Sequence, residues 1–239
     1  MSTLIVVRHG QASFLSEDYD RLSALGWEQS RLLGRYWAAQ GLCPTRIVVG
    51  PRKRHQETAD ALLEEMGKEG MTCPESIHDE RLDEFNWDGL MAYANSTLSV
   101  EDSDVGALKA AFEAAEDTKA KRRTIQHYME AVMERWATGA FHEAGLETWG
   151  EFCGRVQSAL KDSVVDSPRG SRVALVTSGG VAAVTAGSVL GLAPKKTLGL
   201  IWTLRNGALV EYLYHDTQIS LSAFNSAPHL PAKNHWTYR

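Results

Sequence analysis

The chemistry most easily read from this chain lies in three consecutive residues, Arg8, His9 and Gly10, which end the apolar run of "TLIVVRHGQ". A neutral imidazole offers a nitrogen nucleophile, a guanidinium grips phosphoryl oxygens in pairs, and glycine lets backbone pass close to a bound group. Similar groups stand where other apolar runs stop. "GPRKRHQETA" carries Arg52, Lys53 and Arg54 into a helix start, and "RLDEFNWDGL" supplies Asp83 and Glu84. "RVALVTSGG" breaks into Ser178, Gly179 and Gly180 at a helix N-terminus. Cations, an imidazole, a carboxyl group and free backbone N–H groups gathered at one mouth make a phosphate site. An imidazole held there can accept a phosphoryl group, which water then releases. Gln11 and Ser13 follow the nucleophile and are candidates for lining the pocket, although turn-forming polarity accounts for them equally well.

Elements that could gather these groups are legible around them. Residues 3–7 and "RIVVG" (46–50) are continuous apolar runs rich in β-branched residues, as strands covered on both faces require. Leu25, Leu32, Leu33, Tyr36 and Trp37 recur at helical spacing between Ser23 and Gln40, with Gly41 as a stop. "ETADALLEEMG" (57–67) predicts a second helix and "SIHD" (76–79) a short third strand. Thr148 and Glu151 stand in capping-box spacing and start the helix of "ETWGEFCGRVQSALKDSVVD". "RVALVTSGG" (172–180) predicts a strand and "VAAVTAGSVLG" (181–191) a helix packed closely against a sheet. Residues 198–215 hold two alternating runs around Asn206-Gly207, which predicts a terminal hairpin.

That order predicts a three-layer α/β/α sandwich with a mostly parallel central sheet, whose ligands bind beyond the carboxyl ends of the strands. Residues 91–145 break the alternation. They contain two helix-like stretches, "VGALKAAFEAAEDTKAKRRT" and "IQHYMEAVMERWATGAFH", and predict a helical insertion capping the site within a single domain, 1–239. The cluster Lys119, Lys121, Arg122 and Arg123 reads as a solvated face, the alternative being a lid that attracts an anionic substrate.

Composition narrows the function classes. With 239 residues, 44% hydrophobic and 23% charged, the chain can bury a real core. A formal net charge of −5 argues against nucleic acid as partner. No run approaches the length needed to span a bilayer, and no secretory leader is present, so a cytoplasmic protein without a membrane partner is expected. Cys43, Cys73 and Cys153 are odd in number and lack metal-ligand spacing. They are expected to be reduced, mostly buried thiols. His127, His142 and the other scattered histidines suggest no metal site.

Together the motifs resemble the histidine phosphatase superfamily, the phosphoglycerate mutase-like fold, in its branch of small bacterial-type phosphatases. The Arg-His-Gly motif falls on Arg8, His9 and Gly10, which implies that His9 is the phosphorylated nucleophile. "YDRLSALGWEQSRLLGRYW" is similar to the family's Leu-Ser/Thr, Gly and Gln helix pattern. The phosphate-gripping arginine of the second motif falls on Arg54, and the acid on Glu84, with Asp83 as its rival. "VALVTSGGV" resembles the fourth motif, giving Ser178 and Gly179 as phosphate contacts, and "AFNSAPHL" resembles the family's tail. The resemblance implies a phosphomonoester hydrolase with catalytic residues His9, Glu84, Arg8 and Arg54, no cofactor and no metal. Its substrate is expected to be a small phosphorylated molecule, with a phosphoprotein left open. A homodimer is also left open.

Two departures bear on activity. Ser178 stands where the family usually has a histidine, and Trp87-Asp88-Gly89 arrives early after Glu84. A neutral hydroxyl is a weaker donor than an imidazolium by about 1–2 kcal/mol, roughly tenfold in rate. Arg52, His55 or His229 are candidates for the missing charge. Two rival readings follow: a phosphoglycerate mutase, against which Gln11-Ala12-Ser13-Phe14 replaces the usual Trp-Asn continuation, and a weakly active phospho-ligand binding protein.

Overall fold

The computed structural model describes residues 1–13, 20–165, 167–216 and 218–238. Phe14, Tyr19 and Asp166, each within a stretch quoted above, lie outside them. The chain divides into two compact units, one of residues 1–84 and 155–239 and one of residues 85–154. The second is wider at both ends than the 91–145 read from the sequence.

The first unit is built on a sheet of β1 (Ser2–Arg8), β2 (Arg46–Val49), β3 (Ser76–His78), β4 (Arg172–Thr177), β5 (Leu209–His215) and β6 (Gln218–Ser226), in the order β3-β2-β4-β1-β5-β6. The first four in that order run parallel, while β5 is antiparallel to both β1 and β6. In-register pairs such as Val6 with Leu175 put the ends of β1 and β4, Arg8 and Thr177, side by side. One face carries Val7, Ile47, Val49, Ala174 and Val176 beneath α1 (Ala24–Ala39) and α2 (Lys53–Lys68), which contribute Leu33, Trp37, Ala59, Leu62 and Met66. These side chains are almost completely buried, and each large one contributes about 1.5–3 kcal/mol of transfer free energy. From the other face, Tyr212 Oη of β5 donates to Thr185 Oγ1 of α8 (Gly179–Leu190), 2.7 Å away.

The second unit holds α3 (Trp87–Tyr93), a π-helical turn (Ala94–Leu98), one-turn α4 (Ser99–Glu101), α5 (Ser103–Glu113) and α6 (Thr118–Ala137). Its two long helices do not divide where the sequence reading put them. Asp117 accepts from Lys119 and Ala120 backbone N–H groups and so caps α6, which places "TKAKRRT" in the second helix. Lys119, Lys121, Arg122 and Arg123 are exposed, as a solvated face requires. Phe85, Trp136, Trp149 and Phe152 pack ring on ring, with centroids 5.1–5.9 Å apart. The predicted capping box is present: Thr148 Oγ1 accepts from Glu151 N–H, and Thr148 N–H donates to Glu151 Oε2 at 2.8 Å, opening α7 (Trp149–Val164).

Two expectations are corrected. The first alternating run of 198–215 is helical: α9 spans Pro194–Thr203 with Pro194 in its first turn, where a missing N–H costs nothing. Asn206-Gly207 turns the chain from α9 into β5, and the true hairpin joins β5 to β6. The cysteines are free but only half-buried, with Cys43 and Cys73 sulfurs 3.3 Å apart. Among the described residues no helix is long and apolar enough to cross a membrane.

Candidate active site

The end of β1 delivers His9 into a buried polar cluster in which His9, Arg8 and Arg54 are 6, 8 and 6% exposed. His9 N–H bonds the Thr177 carbonyl (2.8 Å), continuing the parallel ladder. Its ring is fixed from both sides. Nδ1 lies 2.6 Å from the Gly10 carbonyl, and Arg54 Nε donates to Nε2 at 3.2 Å. A nitrogen that accepts from a guanidinium carries no proton, so this network assigns the proton to Nδ1 and the lone pair to Nε2. Burial first, then the charges of Arg54 and Arg8, hold His9 well below the usual imidazole range. Its resting state is therefore the neutral form that a nucleophile needs.

Arg54 lies in the first turn of α2 and is braced by Asp20, whose Oδ1 accepts from Nη1 at 2.6 Å. Asp20 Oδ2 also accepts from the Lys53 backbone N–H (2.9 Å), so one carboxylate caps α2 and aims its arginine. Arg8 Nη1 donates to the Leu204 carbonyl (2.5 Å) and Nη2 to that of Tyr238 (3.2 Å). It lies along the start of α8, where a Cβ on Gly179 would come within 3.2 Å of its Nε.

Glu84 accepts from the Gly180 N–H at 2.9 Å, placing its carboxylate at the N-terminus of α8 beside Ser178 and Gly179. Asp83 is occupied elsewhere: its Oδ1 accepts from Arg52 Nε at 2.5 Å and from the Glu84 N–H at 2.7 Å. Ser178 is fully buried, and its Oγ lies 2.6 Å from His55 Nε2. The His55 ring is in turn 5.7 Å, centroid to centroid, from that of His9. Burial first, then Arg54 and Arg52, push His55 down as well, so it brings no positive charge to the position.

The other candidates make contacts of their own. Gln11 Oε1 accepts from the Ser23 hydroxyl (2.8 Å), which itself caps α1 through the Gly26 N–H. Ser13 N–H bonds the Arg21 carbonyl in the same loop. His229 packs against Tyr36, ring centroids 6.4 Å apart, and both its nitrogens are buried without a hydrogen bond. Gly10 serves a packing need: a Cβ there would lie 2.4 Å from the Gly26 carbonyl oxygen, and one on Gly26 would lie 2.1 Å from the Gln11 carbonyl oxygen. Sequence reasoning missed Asp20, Thr58 and Gln29. Thr58 Oγ1 accepts from Gly10 N–H at 3.1 Å, and Gln29 Oε1 accepts from Gln11 N–H at 2.8 Å. Gln29 Nε2 also donates to the His235 carbonyl, tying the C-terminal segment to the loop that follows His9. No local pattern announces Asp20, which stands 33 residues before the backbone N–H it caps. Among the described residues no three His, Cys, Asp or Glu side chains are grouped to hold a metal ion.

The sequence matches the model of the histidine phosphatase superfamily (branch 1) over residues 4–120 and 110–227. No curated protein matches it. Among solved structures, YhfR of Bacillus stearothermophilus aligns with a TM-score of 0.65 at 16% identity, covering 96% of this chain and 99% of the other. The phosphoserine phosphatase of Entamoeba histolytica, in complex with 3-phosphoglyceric acid, aligns at 0.62 and 16%, covering 96% and 100%. A mycobacterial glucosyl-3-phosphoglycerate phosphatase aligns at 0.59 and 20%, covering 94% and 99%. At these identities the likeness to solved structures is one of fold.

Proposed function

Because the chain belongs to the histidine phosphatase superfamily (branch 1), we propose that it hydrolyses phosphomonoesters through a phosphohistidine on His9. The observation that carries this reading is the His9 Nε2 lone pair, neutral and buried, 3.2 Å from the Arg54 guanidinium. In the resting protein that lone pair is covered by Arg54. A phosphoryl group competes for the guanidinium and frees the nitrogen as it arrives, so binding and activation of the nucleophile are one event.

In the first step Nε2 attacks phosphorus, the N–P bond forms and the ester P–O bond breaks. Arg54 and Arg8 stabilise the charge on the equatorial oxygens. Glu84 enters the step as the carboxylic acid, protonated from solvent, and gives its proton to the leaving oxygen; Asp83 is already paired with Arg52. Water, losing its proton to Glu84, then attacks phosphorus. The N–P bond breaks and inorganic phosphate leaves. The substrate class is a small phosphorylated metabolite, as the phosphorylated ligand of the Entamoeba structure suggests.

The test is rapid quenching during turnover of a radiolabelled phosphomonoester. Acid-labile, alkali-stable label on His9, absent from His9→Ala, is expected together with release of inorganic phosphate. Label without phosphate release, accompanied by exchange between phosphoglycerate isomers, would mean a mutase. Tight binding without label would mean a binding protein.

A further inference from the structure

The hydroxyl of Ser178 is not doing what its position ordinarily asks. Ser178 is the N-cap of α8, yet its side chain makes no cap hydrogen bond. An N-cap serine normally accepts from the N–H two or three residues on. Here the N–H two residues on, that of Gly180, is taken by Glu84 instead. Relieved of capping, Ser178 Oγ turns to the imidazole of His55, 2.6 Å away. Both residues are fully buried. His55 fits because residue 50 is glycine: a Cβ there would lie 2.5 Å from His55 Nδ1. Nδ1 faces the Gly50 backbone without a well-aligned hydrogen bond. A buried ring of this kind holds its proton where a partner exists, on Nε2, because an orphaned N–H costs more than an orphaned acceptor. Nε2–H then donates to Ser178 Oγ, and the hydroxyl proton is left to point onward. The opposite direction would leave only lone pairs on Ser178 facing an arriving anion.

We propose that His55 is a positioning residue whose Nε2–H locks the rotor of Ser178, so that the serine hydroxyl donates to a phosphoryl oxygen as the group transfers to His9. The inference rests on the phosphohistidine reading and deepens it. Ser178 directly follows Thr177, whose carbonyl holds the backbone N–H of the nucleophile, and the two imidazole rings are neighbours. Chained donors polarise one another, so the pair strengthens a hydroxyl that alone would be a modest ligand. The pair works through dipoles and needs no proton taken up from solvent.

A double-mutant cycle on kcat and KM with Ser178→Ala, His55→Phe and the combined variant tests this, with His55→Gln as a fourth protein that keeps an N–H at similar reach. Ser178→Ala is expected to lower kcat about tenfold with KM nearly unchanged. His55→Phe is expected to match it, the combined variant to be no worse than either, and His55→Gln to recover most of the loss. Independent, multiplying losses, or turnover untouched by Ser178→Ala, would overturn the proposal. Thermal unfolding guards against misfolding: should His55→Phe not fold, the same cycle with His55→Leu decides the same question. Label on His9 of the unsubstituted protein is read in parallel. Its absence removes the phosphohistidine reading, whereas its presence with uncoupled variants removes the His55–Ser178 relay alone.

Discussion

At the scale of single residues, the protonation of His9 decides whether the site can work. Its ring is buried, feels the charges of Arg54 and Arg8 and accepts from Arg54, so the charged form is disfavoured twice over. An NMR titration of the imidazole nitrogens is expected to find His9 still neutral at about pH 6.5, where a free imidazole is half protonated. Arg54→Gln should raise its midpoint. A midpoint at or above the ordinary value would remove the nucleophile's rationale. Glu84 makes a separate prediction through the leaving group. Glu84→Gln should slow hydrolysis of alkyl phosphates by about 10²–10⁴-fold and that of aryl phosphates far less, because a phenolate leaves without a proton. Equal losses on both substrates would make Glu84 a cap for α8 and no acid. Arg8, His9 and Gly10 were legible because they are adjacent in the chain and interrupt an apolar run. The bracing of Arg54 by Asp20, 34 residues away, was not. Nor was the way His55 answers Ser178 across 123 residues. Side-chain partners far apart in sequence leave no local pattern.

At the scale of elements, the parallel strands were readable because burial on both faces forces continuous β-branched runs. The run after residue 197 misled because alternation and a short helical stripe share residues. Thr197 and Leu198 are its buried positions, and Pro194 at the helix start was the better guide. The junction of β1 with α1 is where element packing reaches the chemistry. Gly10 and Gly26 let two backbones touch, and the α1 start then holds the loop after His9 through Gln29 and Ser23. Gly26→Ala is expected to destabilise by about 1–3 kcal/mol, because its Cβ meets carbonyl backbone that cannot give way. A fall in Tm of several degrees and a loss of turnover should follow. Gly154→Ala, an exposed mid-helix position of α7 with nothing within 4 Å, should instead stabilise by about 0.5–1 kcal/mol. Melting curves of the two variants check this, and the same sign for both would mean that the close approach at Gly26 does not control the site.

At the scale of the whole molecule, three buried histidines lie in the sheet unit: His9, His55 and His229. All three are held below their unfolded value, His229 down to about 4 by burial alone. Between that value and about pH 6.5 the unfolded chain binds more protons than the folded one, so stability rises with pH across this window and is lost as pH falls through it. For His229 alone the full contribution, lost only once pH has fallen to about 4, is about 3 kcal/mol, a large part of an ordinary domain's stability. Paired carboxylates work in a lower window. Glu65, held down to about 2 chiefly by Lys68 and Arg35, contributes stability that is present above about pH 4.5 and lost only as pH falls toward 2. The loss between about pH 8 and pH 5 is therefore assigned to the histidines. Urea unfolding at those two values is expected to show a drop of several kcal/mol for the unsubstituted protein. His229→Leu removes a titrating ring that has no hydrogen bond to lose, so it should be near-neutral at pH 8 and flatten the drop by about 2 kcal/mol. A drop of unchanged size in that variant would mean that His229 titrates as freely when folded as when unfolded.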